Sequence, residues 1–187
     1  MSVNGSDMII RKILSDIRVD LASEFDRNFE RQAFFASAWQ RRRSPLRQDG
    51  HILVNSGRLR RSIRARSDAS SVTFSSSEPY AAIHNEGGEI KVTARMKRYF
   101  WHRYYQARGG FKRRKDGTLS RSKAQVRLST EAEFWKHMAL MKVGSTVKIP
   151  QRRFLGTAPE LEARVSEIIT RNINEYLNTL PDKIIKR

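Results

Sequence analysis

The sequence predicts an α+β fold: a long N-terminal helix and a C-terminal helix packed on a small, mainly antiparallel sheet. Three observations carry this expectation. Apolar residues recur every three or four positions near the N-terminus, and they do so again after Pro159. Between these segments lie short runs that alternate apolar with small polar residues, punctuated by glycine and proline.

Ile10, Ile13, Leu14, Ile17, Leu21, Phe25 and Phe29 form one stripe of a helix from about Asp7 to about Gln32, with acids and bases alternating on its other face. The run "AFFASAW" (Ala33 to Trp39) is expected to continue that helix and bury Phe34, Phe35 and Trp39 against a neighbour. "RRRSPLRQDG" (Arg41 to Gly50) reads as an exposed basic loop, broken by Pro45 and Gly50. In "SGRLRRSIRARS" (Ser56 to Ser67), Leu59 and Ile63 fit a helical face, while Leu59, Arg61, Ile63 and Ala65 fit a strand face; a short helix entering a strand is preferred. "SSVTFSSS" (Ser70 to Ser77) alternates as a half-buried strand does. "YAAIH" then runs to a turn at Gly87-Gly88 as part of a meander, and "EIKVTA" (Glu89 to Ala94) supplies the next strand.

Residues 95–143 break this pattern and read as an aromatic-basic insertion within a single domain spanning 1–187. It is expected to be helical from Met96 to Tyr105 and flexible from Ala107 to Ser122. A second helix then starts near Thr130, with Phe134, Met138 and Met141 on one face and Gly144 as its C-cap. "STVKIPQRRFLG" (Ser145 to Gly156) reads as a strand ended by Pro150, with Phe154 and Leu155 buried and Arg152 and Arg153 pointing outward. "TAPE" (Thr157 to Glu160) reads as a capping box. The last helix turns Leu161, Val165, Ile168, Ile169, Ile173, Tyr176, Leu177 and Leu180 inward.

Composition narrows the function. The chain of 187 residues has a net charge of +18 and no cysteine, which removes disulfides and thiolate metal sites. No apolar run approaches the roughly 20 residues of a membrane helix, and the N-terminus lacks the order of a signal peptide. A soluble protein of a reducing cytoplasm is expected. The charge is concentrated. Residues 40–66 hold nine arginines and one acid, and residues 95–127 hold twelve basic residues and one acid. A polyanion nearby, an acidic protein face, or both are implied.

Two stretches could carry chemistry. In "YAAIHNEGG" (Tyr80 to Gly88), His84 beside Asn85 and Glu86 evokes a histidine nuclease. His51, His102 and His137, however, lie elsewhere with no acid at ligand spacing. The favoured reading is structural: Ile83 packs inward, His84 and Asn85 bond a neighbouring backbone, and the glycines supply positive φ. "YFWHRYY" (Tyr99 to Tyr105) could stack bases and grip phosphates, or dock its aromatic side on a protein partner, which is preferred. Serine-nucleophile, phosphate-loop and dinucleotide signatures are missing.

Two landmarks in order resemble the phage virion morphogenesis family, whose members complete tails at the head–tail junction. The first is Gly57, Leu59, Ser62 and Ile63 leading to Tyr80, Ala81, His84, Gly87 and Gly88. The second is Ile149, Pro150, Arg152, Phe154, Leu155 and Gly156 ahead of the last helix. The resemblance implies a structural virion protein, without catalysis, cofactor or metal. It would work as a homo-oligomeric ring at the neck or tail end, against portal-connector and tail proteins, assembled in the host cytoplasm and away from membranes. A closed ring asks each subunit for two different faces. Phe34, Phe35 and Trp39 are candidates for one, Phe100, Trp101 and Tyr104 for the other, with Arg153 beside them. Arg41, Arg42, Arg43, Lys112, Arg113, Arg114 and Lys115 would meet DNA in a channel or acidic protein faces. A stand-alone nucleic-acid-binding protein is the alternative, and a metal-dependent nuclease using His84 a weaker one.

Overall fold

The computed structural model describes residues 5–42, 44–46 and 50–180. The α+β class holds, with the strands arranged as three separate two-stranded antiparallel ribbons among the described residues. The chain divides into two compact units. Unit 1 comprises Met1–Trp39, His51–Glu86 and Arg152–Arg187, and unit 2 comprises Gln40–Gly50 and Gly87–Gln151. The second unit therefore takes in more than the expected insertion, adding the segment at 40–50 and both strands of one ribbon.

Unit 1 is organised by α1 (Gly5–Arg31), a helix of 27 residues. Its stripe buries Ile17, Leu21, Phe25 and Phe29, while Ile10 lies outside. The helix ends sooner than expected. Gln32 takes a positive φ of 57° and the chain folds into a hairpin of β1 (Ala33–Phe34) and β2 (Ser37–Ala38), so "AFFASAW" does not extend the helix. Phe35, at φ 50°, makes the reversal. Next come α2 (Arg58–Arg61) and the ribbon of β3 (Ile63–Ser67) with β4 (Val72–Ser76). Phe74 meets Phe25 edge to face at 4.9 Å, which ties the ribbon to α1.

"YAAIHNE" is helical rather than extended: α3 spans Ala81–Glu86. Pro79 and Gly87 bracket one and a half turns, and Ala81 is the position turned into the core. The C-terminal α6 (Pro159–Asn178) runs antiparallel to α1, since Lys12, Asp16 and Asp20 meet Glu175, Asn172 and Arg164 in falling order. Its N-cap is Ala158, with no side-chain hydrogen bond. Thr157 sits one residue too early, so the expected capping box does not form. Leu161 and Ile168 are buried as the stripe implies, but Ile173 and Leu177 face out.

Two apolar clusters result. Ile17, Leu21, Phe25, Phe34, Leu161 and Ile168 lie between α1 and α6. Phe29, Trp39, Leu59, Ala81 and Phe154 lie at the C-terminal end of α1.

Unit 2 is a helical hairpin with a ribbon. α4 (Ala94–Gly109) is capped by Thr93, whose hydroxyl accepts from the Met96 amide at 3.2 Å. α5 (Lys123–Leu140) begins seven residues before Thr130, capped by Ser122, and ends at Met141 rather than Gly144. Phe100 stacks on Trp135 at 5.8 Å between the two helices, and Arg103 bonds Glu131 at 2.7 Å. Residues 110–122 form a hydrogen-bonded hairpin, with the Arg114 amide on the Thr118 carbonyl at 2.7 Å and Gly117 at its tip. β5 (Gly88–Lys91) pairs with β6 (Thr146–Ile149), which stops before Pro150.

Candidate functional site

The two sequence landmarks meet in unit 1. Asn85, near the end of α3, receives two backbone N–H groups on one oxygen: those of Phe154 and Leu155, each at 2.9 Å. The carbonyl of His84 accepts from the Arg152 amide at 2.8 Å. From the other side, the Trp39 indole donates to the Arg153 carbonyl at 2.6 Å, and Asn28 donates to the Phe154 carbonyl at 3.5 Å. The segment Arg152 to Leu155 has no regular ladder of its own, yet side chains of α1, β2's exit and α3 satisfy its backbone. Phe154 is only 1% exposed, packed on Phe29 at 5.3 Å.

Asn28 is the residue that the sequence reading missed. It is fully buried, and its carbonyl oxygen also accepts from the Phe35 amide at 3.1 Å, holding the hairpin that follows α1. A signal was present: Glu24 and Asn28 fall on the apolar stripe itself, where a polar side chain needs a partner. Gln32 performs a related task. Its amide bonds the carbonyls of Phe29 and Ile52 and the Ile52 amide, so it stitches the loop after residue 51 to the end of α1.

Glycines shape the rest. Gly57 caps α2 at φ 71°. Gly87, at φ 74°, stands so close to Gln151 that a Cβ would come within 2.9 Å of its backbone nitrogen. Gly88 pairs with Ile149 in the β5–β6 register. Leu59 is buried, and the Ser62 hydroxyl bonds the Leu59 carbonyl and Ser76. Tyr80 stays partly exposed, edge-on to His84.

His84 lies in α3, edge-on to Tyr80. It is half-buried, and burial first and the charge of Arg152 second push its imidazole below the usual histidine range, so it is neutral at pH 7. Its Nδ1 is buried without a partner. Among the described residues, no three His, Asp or Glu side chains gather as a metal-binding group.

The arginines of "IPQRRFLG" do not point outward as expected. Arg152 is buried at 8% exposure. Arg153 lies over the Phe34 ring, 4.8 Å from its centroid, where the ring face attracts the guanidinium. Other sequence candidates also move. Phe34 and Trp39 are buried within unit 1 and leave little surface for a neighbouring subunit; Phe35 is half-buried against Phe34. Phe100 is buried beneath Trp135, with Trp101 and Tyr104 half-buried. The exposed rings of α4 are Tyr99 and Tyr105, at 52% and 61%. Among the basic candidates, Lys112, Arg113, Arg114 and Lys115 are all exposed on the hairpin, Arg41 is exposed and Arg42 half-buried. Arg43 lies outside the described residues.

Charge divides by unit. Unit 2 carries twenty Lys and Arg against five Asp and Glu, and unit 1 carries seventeen against fourteen. Unit 1 uses its acids. Glu24, 4% exposed in its side chain, receives Arg27, Arg31 and Arg164 at 2.5, 2.8 and 3.4 Å. Burial alone would raise the Glu24 carboxyl, but the hydrogen bonds from Arg31 and Arg27 and the Arg164 charge together hold it below its ordinary range. Hydrogen bonds lower Asp20 through Arg164 and Asp26 through Arg60.

Comparison with known families decides the class. The model of the phage virion morphogenesis family matches residues 7–174. The chain belongs to that family. The match spans most of both helices that frame unit 1, both landmarks and the part of unit 2 from Gly87 to Gln151. No similarity to curated proteins or to solved structures was found. A family of this kind gives the chain a phage structural or morphogenetic role and makes it a virion-associated protein; no helix among the described residues is long and apolar enough to cross a membrane.

Proposed function

We propose that this virion morphogenesis protein completes the phage tail at the head–tail junction, as a non-enzymatic subunit of a closed ring between portal-connector and tail proteins. The observation that carries the reading is how the second family landmark is held in place. Asn85, Asn28 and Trp39 turn their polar atoms onto the backbone of Arg153 to Leu155, not into a cleft. A chain whose most distinctive residues build a rigid frame suits a structural part. A ring needs two unlike faces. Unit 1 leaves Met8, Ile10, Ile173 and Leu177 exposed, and unit 2 leaves Tyr99 and Tyr105 exposed; these replace the buried aromatics as candidate contacts.

The test is the mass of the purified chain without DNA. A discrete multimer supports the ring, and the double variant Ile173→Ser, Leu177→Ser should then dissociate it without lowering the melting temperature. A monomer at every concentration, binding DNA tightly, would favour a stand-alone nucleic-acid-binding protein instead.

A further inference from the structure

We infer that unit 2 holds double-stranded DNA through its phosphodiester backbone, using α4 and the hairpin of residues 110–122. From Ile90 to Lys115 the chain carries ten Lys and Arg and no acid. On α4 and the hairpin, Arg103 is ion-paired, with Glu131. Arg95, Arg98, Lys112, Arg113, Arg114 and Lys115 form no ion pair with a carboxylate among the described residues. Arg95 and Arg98 stand exposed on α4 beside Tyr99 and His102. Lys112, Arg113, Arg114 and Lys115 stand exposed on one arm of the hairpin.

The arm has a fixed backbone. The Ser120 amide bonds the Lys112 carbonyl at 2.9 Å, the Lys112 amide bonds Gln125 at 2.8 Å, and Asp116, the acid of the tip, takes the Thr118 amide and hydroxyl at 2.9 and 2.7 Å. So the nearest negative charge is occupied by its own turn; Arg113 also donates to the Gly117 carbonyl at 2.7 Å, and all four cations remain exposed.

The hairpin arm fits a lattice of phosphates better than an acidic protein. Specific protein interfaces set an apolar, desolvated centre inside a polar rim. From Lys112 to Leu119 every residue is exposed, and Leu119 is the one apolar side chain in that run. Phosphate binding needs no such centre: lysine, arginine and tyrosine hydroxyls contact the backbone directly, and released counterions drive association. The inference rests on the proposed role only for where in the virion the DNA would lie.

The experiment titrates the full chain with a fluorescent duplex of about 30 base pairs at several salt concentrations. Wild type should bind without sequence preference, with affinity falling steeply as salt rises. Each phosphate contact contributes about −0.9 to the slope of log K against log salt, so Lys112→Gln, Arg113→Gln, Arg114→Gln, Lys115→Gln together should reduce its magnitude by about 3 to 4. Arg95→Gln with Arg98→Gln should reduce it by up to about 2, and this pair decides the matter if the quadruple variant does not fold. Arg11→Gln with Arg171→Gln, exposed in unit 1, should leave the slope unchanged. An unchanged slope in both unit 2 variants overturns the inference. So does polyglutamate displacing the protein as effectively as duplex DNA at equal charge. A discrete multimer that ignores DNA overturns this inference and leaves the ring; a monomer that binds DNA through unit 2 does the reverse.

Discussion

Units 1 and 2 solve the same electrostatic problem in opposite ways. Unit 1 nearly balances its charges and sets them against one another, with Glu24 under three arginines and Arg60 across Asp26 and Glu30. Unit 2 has four times as many cations as acids and turns most of them to solvent. Pairing of that kind stiffens a frame, whereas charge of one sign costs self-repulsion and attracts anions to that surface. The difference teaches that the net charge of the chain belongs to one part of it, and that the family landmarks belong chiefly to the other.

The largest effect should come from the frame. Phe154 sits between Phe29 and the backbone bonds of Asn28 and Asn85. Phe154→Ala should cost about 3–5 kcal/mol, lowering the melting temperature and the yield of soluble protein. Hydrogen exchange sharpens the comparison. Amides of α1 and α6 should exchange faster in the variant, while those of α4 and α5 keep their protection. Equal loss in both units would mean that they do not fold as separate cooperative bodies.

Next in size is Asn85. Asn85→Ala orphans two part-buried amide groups at a cost of up to about 1–3 kcal/mol for each. Asn85→Asp keeps the accepting oxygen and should recover most of the loss at pH 7. If Ala and Asp melt alike, the paired bonds to Phe154 and Leu155 do not hold the segment in place.

How much of this was legible in the sequence follows from what each element needs. α1, α6 and the β3–β4 ribbon announce themselves through long, regular periods, and the order of the landmarks was enough to suggest the family. α3 was not legible as a helix, because six residues before a double glycine fit a period of 2 as well as one of 3.6. The hairpin after α1 hid for a different reason: its two reversals use Gln32 and Phe35 at positive φ, so no glycine or proline marked them. α5 begins inside a basic stretch that looks like loop, and only the Ser122 cap betrays its start. The fates of Arg152 and Arg153 depend on ring faces and backbone brought from distant segments, which no local pattern encodes.

Acid should separate the units next. Asp20, Glu24 and Asp26 all have carboxyl pKa values depressed in the fold, through bonds from Arg164, Arg31 with Arg27, and Arg60. A depressed pKa stabilises the fold in full above the unfolded range, about pH 4 to 4.5, and that contribution is lost as pH falls through the lowered values. Unit 1 should therefore lose protection below about pH 4. Among the structured acids of unit 2, Glu131 and Asp116 behave in the same sense: burial opposes at Glu131, but bonds from Trp135 and Arg103 lower it, and bonds from the Thr118 hydroxyl and amide lower Asp116. With fewer such carboxylates, α4 and α5 should outlast α1 and α6 in hydrogen exchange at low pH. Simultaneous loss would break the contrast.

The smallest effects test single cations. Arg153 lies 4.8 Å from the centroid of the Phe34 ring, and its Nε reaches the Leu155 carbonyl at 3.4 Å. Removing such a partly desolvated contact costs about 0.5–2 kcal/mol. Lys115 stands exposed at the hairpin tip, where a substitution away from packing changes stability by less than about 0.5 kcal/mol. Arg153→Ala should thus lower the melting temperature by a few degrees, and Lys115→Gln should leave it unchanged while weakening DNA binding. Arg153→Lys adds the control: a flexible ammonium keeps the charge but gives up the planar group over the ring, so part of the loss should persist. If Arg153→Ala melts like wild type, the guanidinium over Phe34 contributes nothing to the frame, and Arg153 returns to being a surface cation like those of unit 2.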